Sequence, residues 1–218
     1  MTDLRQYWPS VLVEDTGIHA RLIAAYDEPH RAYHDTLHLA EVFERIDVLL
    51  DAEADAGVDA GVDAGVERTV VLLAAWFHDA VYDTDGDNEE RSAELAESEL
   101  AASAVPHELI NEVTRLIRLT ATHRPTDADS AGKVLCDADL GILAEEEARY
   151  REYVRGVREE YADLPDDVFR SGRADILRKL LESPTVFSTS FARQHWEERA
   201  RGNVAHELAE LATPSGNA

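Results

Sequence analysis

The stretch LLAAWFHDAVYDTDGDNEERSA, residues 72–93, joins an apolar run directly to the titratable pair His78-Asp79 and then to an acidic segment. Burying a charged group without a partner is costly, so a buried imidazole or carboxylate normally pairs with another group or with a metal ion. Residues 68–80 are apolar on nearly all sides, which predicts a central buried helix. The rest of the chain must therefore supply partners for His78 and Asp79.

Helical periodicity extends over most of the chain, and no segment alternates as a strand would. Between residues 34 and 50, apolar residues and His38 recur at intervals of three and four, which places them on one helical face. The sequence therefore predicts an all-α fold. Further helical segments are predicted over about residues 11–26, 89–104, 109–117, 134–161, 166–182 and 188–212.

Residues 51–66, DAEADAGVDAGVDAGV, form a low-complexity segment that repeats GVDA. Each Gly inside a helix costs about 1 kcal/mol relative to Ala, so we expect a flexible acidic loop here between two helices. No other segment has the composition of a linker. The chain of 218 residues is therefore predicted to form one domain over residues 1–218.

The composition argues against several classes of partner. Lys and Arg number 21 against 45 Asp and Glu, and the formal net charge is −24 at pH 7. Nucleic acids and anionic membrane surfaces need a basic face, so neither is expected to bind. No apolar run reaches the roughly 18 residues that span a bilayer, and residues 1–10 lack the apolar core of a signal peptide. These features predict a cytoplasmic protein of undetermined oligomeric state.

The candidate partners of His78-Asp79 lie on other predicted helices. Successive residues on a helix diverge by about 100°, so His78 and Asp79 reach one ion only near the end of their helix or with their two side chains reaching around it. His34 and His38 are four residues apart and are therefore neighbours on one helical face. Because Cys136 is the only cysteine, a zinc site built on cysteines is excluded.

A second pair of carboxylates, Asp137 and Asp139, occurs in the apolar segment VLCDADLGIL, residues 134–143. Two imidazoles and two carboxylates form a mixed nitrogen and oxygen set. Such a set suits a divalent ion of Mn, Fe, Co, Ni, Zn or Mg and leaves positions for water and substrate. The residues alone leave open which histidine of the pair His34 and His38, and which of the two carboxylates, is the ligand.

The order His, His-Asp, Asp on helices resembles the HD-domain superfamily of metal-dependent phosphohydrolases. The resemblance also rests on HRAYHDTLHLAEV, AAWFHDAVYD with NEERSA, DADLGIL, YREYVRGVREEY and FRSGRADIL, and it covers about residues 28–205. These stretches are together similar to a bacterial subfamily described as predicted metal-dependent hydrolases. The resemblance implies a single helical bundle of the HD type.

The ligand set that the resemblance implies is His38, which begins an H-x-x-x-V pattern, with His78, Asp79 and Asp139. Asp137 is then the less favoured closing carboxylate. With His38 as the ligand, His34 lies on the substrate side of the site or around the ligands. If the motif is aligned differently, His34 is itself the ligand.

The resemblance further implies hydrolysis of a phosphomonoester or pyrophosphate bond in a small phosphorylated substrate, such as a nucleotide. A cation must offset the phosphate charge, and cations are scarce in this chain. The candidate catalytic residues are Asp79 and Glu89, to orient the attacking water, and His123. The candidate substrate-binding residues are His34, Arg124, Lys133 and Arg173.

Other interpretations of the same residues stay open. Glu89 lies near a predicted helix start, where an acidic side chain interacts favourably with the helix dipole. His123 can serve to end a helix. Tyr150, Tyr153 and Tyr161 lie at helical spacing and can pack in the core. The protein can also be a regulatory module that binds a nucleotide or metabolite with little turnover. A metal-dependent lyase or oxygenase is a further alternative, since a fold does not fix a function.

Overall fold

The computed structural model describes residues 3–12, 17–55, 64–84 and 86–213, and within these ranges it contains helices and no strand. The prediction of an all-α fold is confirmed. The α-helices are α1 (Ile18–Tyr26), α2 (Thr36–Asp55), α3 (Ala64–Phe77), α4 (Asn88–Ala102), α5 (His107–Thr120), α6 (Ser130–Leu140), α7 (Glu147–Glu160), α8 (Asp166–Glu182), α9 (Ser190–His195) and α10 (Glu197–Ala212). The 3-10 helices are Leu4–Tyr7, Ser10–Leu12 and Gly141–Ala144. No helix in the described ranges has both the length and the apolar character of a bilayer span.

The core is built around α3, the helix predicted from the opening stretch. Every residue from Val70 to Phe77 is buried. The Trp76 indole donates a hydrogen bond to the Tyr7 carbonyl at 3.1 Å, which closes the N-terminal segment over this helix. α2, α5 and α6 pack around α3.

The acidic segment is more helical than predicted. α2 continues to residue 55 and α3 begins at residue 64, while residues 56–63 of the expected loop lie outside the described residues. Residues 51–55, DAEAD, lack glycine and contain Ala and Glu, which are strong helix formers, so α2 continues as far as the glycine repeats.

Two of the predicted long helices are each broken in two. The stretch 134–161 contains α6 and α7, separated by a 3-10 turn that begins at Gly141. A Cβ at Gly141 would lie 2.3 Å from Arg45 Cδ, so the turn occurs where this Arg packs against a bare backbone. The stretch 188–212 is divided at Trp196, whose ring packs on Phe187 and Phe191.

Three helix ends meet on one side of α3. The first turn of α2 carries His38, α3 ends at Phe77 directly before His78-Asp79, and the last turn of α6 carries Asp139. Since α2 packs on both α3 and α6, these ends lie beside one another. The expectation that His78-Asp79 lies at the end of the buried helix is confirmed, although this helix ends at residue 77 and not at residue 80.

Candidate metal centre

Three of the predicted ligands converge on one point. His38 Nε2 lies 3.3 Å from His78 Nε2, and Asp139 Oδ1 lies 3.3 Å from His38 Nε2 and 3.7 Å from His78 Nε2. Ligand atoms held at about 2.1 Å from one ion, with tetrahedral or octahedral angles, are about 3.0–3.4 Å apart. His38, His78 and Asp139 can therefore hold a metal ion.

Asp79 lies against both imidazoles of this cluster. Its Oδ2 is 3.1 Å from His78 Nε2 and 3.4 Å from His38 Nε2. The two imidazole side chains are 1% exposed, whereas the side chains of Asp79 and Asp139 are each 17% exposed. The cluster therefore opens to solvent on its carboxylate side, where a water or a substrate can enter.

Hydrogen bonding prepares His78 to act as a ligand. The Ala75 carbonyl accepts a 2.8 Å hydrogen bond from His78 Nδ1, so Nε2 is the nitrogen that gives up its proton when the ring binds a metal ion. Two other buried atoms beside the cluster, His38 Nδ1 and the Tyr33 hydroxyl oxygen, have no hydrogen-bond partner in the described part of the chain. An unpaired buried polar atom costs about 1–3 kcal/mol, so stability alone does not explain this arrangement.

The four side chains stabilise one another's charged forms. Burial lowers the pKa of His78, but the Asp79 carboxylate outweighs it and raises that pKa well above its ordinary value. The pKa of His38 is raised in spite of burial, through hydrogen bonds to Asp139 and Asp79. Burial raises the pKa of each carboxyl, but His78 at Asp79 and His123 at Asp139 hold these pKa values well below the ordinary range. The carboxylates stay ionised, and their field favours a cation between them.

His123 holds the second oxygen of Asp139. Its Nε2 is 2.8 Å from Asp139 Oδ2. The backbone of His123 has a φ of 51°, and its N–H donates to the Leu119 carbonyl at 2.9 Å, which ends α5. This residue therefore terminates a helix and also reaches the site, so the two interpretations of His123 are compatible.

Asp137 turns away from the cluster. Its two oxygens accept hydrogen bonds from the backbone N–H groups of Ser188 and Thr189, at 2.7 to 3.0 Å. Burial raises its pKa. Asp137 thus holds the segment before α9, and Asp139 is the carboxylate that the structure places with the histidines.

His34 is paired with a carboxylate that sequence reasoning did not find. His34 Nδ1 lies 2.8 Å from Glu160 Oε2, which also accepts a 2.9 Å hydrogen bond from the Tyr82 hydroxyl. Glu160 Oε1 accepts the backbone N–H groups of residues 32, 33 and 34 at 2.9, 2.7 and 2.8 Å. Burial opposes ionisation of Glu160, but the hydrogen bonds to His34 and to this backbone lower its pKa to about 2.

The missed Glu160 has a signal in the sequence. Tyr153 and Val157 are buried on one face of α7, and residue 160 follows them on that face, so a carboxylate stands at a buried helical position. Gly156 permits the contact, since a Cβ there would lie 2.7 Å from the Ala32 carbonyl oxygen. A buried carboxylate at helical spacing is a reason to search for a partner.

Arg31 is the second residue that the sequence analysis left unassigned. Its side chain is fully buried, and its guanidinium donates to the carbonyls of His34, Asp79 and Ala80 at 3.1, 2.6 and 3.1 Å. Arg31 thereby connects the backbone before α2 to the backbone after α3.

A cleft of roughly 750 Å³ adjoins the cluster at His123. Glu89, Arg124 and Arg173 also line it, so the structure brings four of the predicted residues together. Lys133 does not line this cleft, and its Nζ donates to the Asp127 carbonyl at 2.6 Å.

Comparisons of the chain with models of protein families, with curated proteins and with solved structures find no match. The resemblance to the HD-domain superfamily therefore stays a prediction that rests on the quoted motifs. Function has to be argued from the geometry and charge of the site itself.

Proposed function

We propose that this protein is a metal-dependent phosphohydrolase of the HD type, acting on a phosphomonoester or pyrophosphate bond. The observation that carries the proposal is the convergence of His38, His78 and Asp139 from three helix ends, with Asp79 against both histidines. The order of these residues along the chain is the order that the resemblance implies. In this proposal Asp79 is the fourth ligand.

The mixed donor set suits a divalent ion of Mn, Fe, Co, Ni, Zn or Mg. Such an ion, when bound, supplies Lewis-acid polarisation of a phosphoryl oxygen and lowers the pKa of a coordinated water to about 7. During hydrolysis the water oxygen bonds to phosphorus, the bond from phosphorus to the leaving oxygen breaks, and that oxygen gains a proton. The products are an alcohol, or a second phosphate, and inorganic phosphate.

The surrounding side chains hold substrate and protons in place. His34, whose Nδ1 bonds Glu160, keeps Nε2 for a phosphoryl oxygen or for the proton of the leaving group. His123 positions Asp139 through its 2.8 Å hydrogen bond. Glu89, in the first turn of α4 and on the cleft wall, is the candidate to orient the attacking water.

The charge of the cleft supports an anionic substrate. A protein of net charge −24 repels phosphate unless the site is locally positive. Arg124 and Lys179 line the cleft and form no ion pair with another described residue. Arg173 also lines it but is held by Glu207 at 2.8 Å. These two cations line the cleft that adjoins the cluster, and they favour an anion there.

Turnover by metal-reconstituted protein on phosphomonoesters, pyrophosphates and nucleotides tests the proposal. Asp79→Ala should lower kcat/KM by at least about 100-fold, because a ligand is lost. Asp175→Ala is the control, because Asp175 is exposed on α8 and pairs only with Arg178 among the described residues. Activity that Asp79→Ala leaves unchanged would refute the site. Bound metal without turnover of any substrate would favour the regulatory module instead.

A further inference from the structure

The cleft beside the cluster is large enough for the organic part of a substrate. Its volume of roughly 750 Å³ falls within the range of pockets that hold one small molecule, about 300–1,000 Å³. It meets the cluster at His123, which bonds Asp139, and at Leu140, the next residue after Asp139. None of the four cluster residues lines the cleft itself, so the leaving group of a phosphoryl group at the cluster would pass His123 and Leu140 to reach it.

Much of the cleft wall is apolar. Its apolar side chains come from the end of α6 and the following turn, from α8, and from the segment after α8. They are Leu140, Leu143, Ile176, Leu180, Pro184 and Val186, and Ala121 and Pro125 add apolar surface from the segment after α5. Ile176 is 56% exposed although it faces the cleft, so an apolar group bound against it would remove this surface from water.

The same wall offers little to a nucleobase. Bases are recognised by stacking on aromatic faces and by hydrogen bonds along their edges. Among the described residues that line the cleft there is no Asn, Gln, Phe or Trp, and of the planar groups His123 is held by Asp139 and Arg173 by Glu207, which leaves Arg124 and Tyr153. Tyr153 is 8% exposed, and its hydroxyl accepts a 2.7 Å hydrogen bond from Arg173. The hydroxyls of Thr120 and Thr122 donate to the carbonyls of Ile117 and Leu119 in α5.

We infer that the substrate is a phosphomonoester of an apolar, aliphatic alcohol. Its anionic head lies at the cluster beside Arg124 and Lys179, and its aliphatic body lies against Ile176 and Leu180. The inference rests on the proposed function and adds to it the chemical class of the leaving group.

Titration calorimetry of the metal-reconstituted protein with butyl-, hexyl- and octylphosphonate, and with AMP, tests this inference. An alkylphosphonate carries a PO₃ group like that of a phosphomonoester. Its phosphorus is bonded directly to carbon, so there is no ester bond to hydrolyse. Each methylene that becomes buried should tighten binding by about two- to fourfold, and AMP should bind no tighter than butylphosphonate. Affinity that does not change with chain length, or AMP as the tightest ligand, would overturn the inference.

Two variants of α8 localise the effect. Ile176 and Val168 are 56% and 52% exposed, and only Ile176 lines the cleft. Ile176→Ser should reduce the dependence of affinity on chain length, whereas Val168→Ser should behave as the wild type. Equal effects of the two substitutions would contradict the placement of the aliphatic body.

The alkylphosphonate titrations separate this inference from the proposed function because they need no turnover. Affinity that rises with chain length in a protein without phosphatase activity supports the apolar cleft and refutes the hydrolase. Turnover of phosphate esters together with affinities that ignore chain length supports the hydrolase and refutes the aliphatic substrate.

Discussion

At the scale of single residues, the candidate centre depends on side chains that fix the ligands without belonging to the cluster. Arg31 donates to the carbonyls of His34, Asp79 and Ala80, and thereby holds both sequence motifs at a constant separation. Glu160 binds three consecutive backbone N–H groups that end at His34. Substitution of Arg31 should change metal affinity, and substitution of Glu160 should change the stability of the fold.

Arg31→Lys should weaken metal binding about 10- to 100-fold, because an ammonium cannot reproduce the planar fork that bonds three carbonyls. Arg170→Lys is the matched control, since the Arg170 guanidinium also donates to three carbonyls, those of residues 210, 211 and 213. Competition with a chromophoric chelator measures the affinity. Equal losses of affinity in both variants, or none in Arg31→Lys, would contradict the positioning role.

Glu160→Gln should destabilise the protein in a pH-dependent way. The pKa of Glu160 is lowered from 4.5 to about 2, so its ionised form stabilises the fold above about pH 4.5, and this is lost as the pH falls through about 2. Near neutral pH the loss in the free energy of unfolding should be on the order of 3 kcal/mol. Urea unfolding of both proteins between about pH 3 and pH 7 measures the difference. A difference that does not shrink toward acid pH would count against the assignment.

At the scale of elements, the site is assembled from helix ends. α2 contributes its first turn, α6 its last turn, and α3 the two residues that follow it. Gly141, in the 3-10 turn after α6, lets the Arg45 side chain approach closely. Gly156, on α7, does the same for residues 32–33. Small residues at two positions therefore determine how near the helices lie around the cluster.

Gly156→Ala and Gly172→Ala should change stability in opposite directions. A Cβ at Gly156 would lie 2.7 Å from a backbone oxygen, and the resulting strain should cost about 1–3 kcal/mol. A Cβ at Gly172 meets no described atom within 4 Å, so Ala there should stabilise α8 by up to about 1 kcal/mol. Thermal melting of the two variants measures both shifts, and shifts of the same sign would contradict this interpretation of α7.

The all-α class and the convergence of His38, His78 and Asp139 could be predicted, because periodicity and spacing are local properties. The divergence of adjacent residues favoured a place for His78-Asp79 near a helix end, and α3 ends at Phe77, three residues earlier than predicted. The break at Gly141 could not be predicted, since it depends on contact with Arg45 from a helix distant in the chain. The same applies to Glu160, whose partners Tyr82 and residues 32–34 lie 78 to 128 residues earlier.

At the scale of the whole molecule, acidic charge dominates. The chain has 45 acidic and 21 basic residues, and many of the basic ones form ion pairs, such as those of Arg115 with Glu112 and Asp129. The remaining acids repel one another and destabilise the compact state. Asp79 and Asp139 bring two negative charges close together at the candidate metal centre, and a divalent ion would neutralise them.

Salt should therefore stabilise the protein. Raising KCl from about 0.05 M to about 1 M shortens the screening length from over 10 Å to about 3 Å, which weakens repulsion among surface acids. The melting temperature should rise by about 2–4 °C for each kcal/mol of repulsion that is screened. A scan in NaCl at equal ionic strength separates screening from an effect specific to potassium. A melting temperature that stays constant or falls would contradict this expectation, because the loss of attraction in exposed ion pairs would then equal or exceed the loss of repulsion among acids.

If His38, His78, Asp79 and Asp139 close around one divalent ion, the metal content per chain will show it. Wild-type protein and Asp137→Asn, reconstituted and freed of excess metal, should each retain one ion per chain, since Asp137 faces Ser188 and Thr189. Asp139→Asn should lose it. A wild type that retains no ion, or an Asp139→Asn variant that retains as much as the wild type, would contradict the claim.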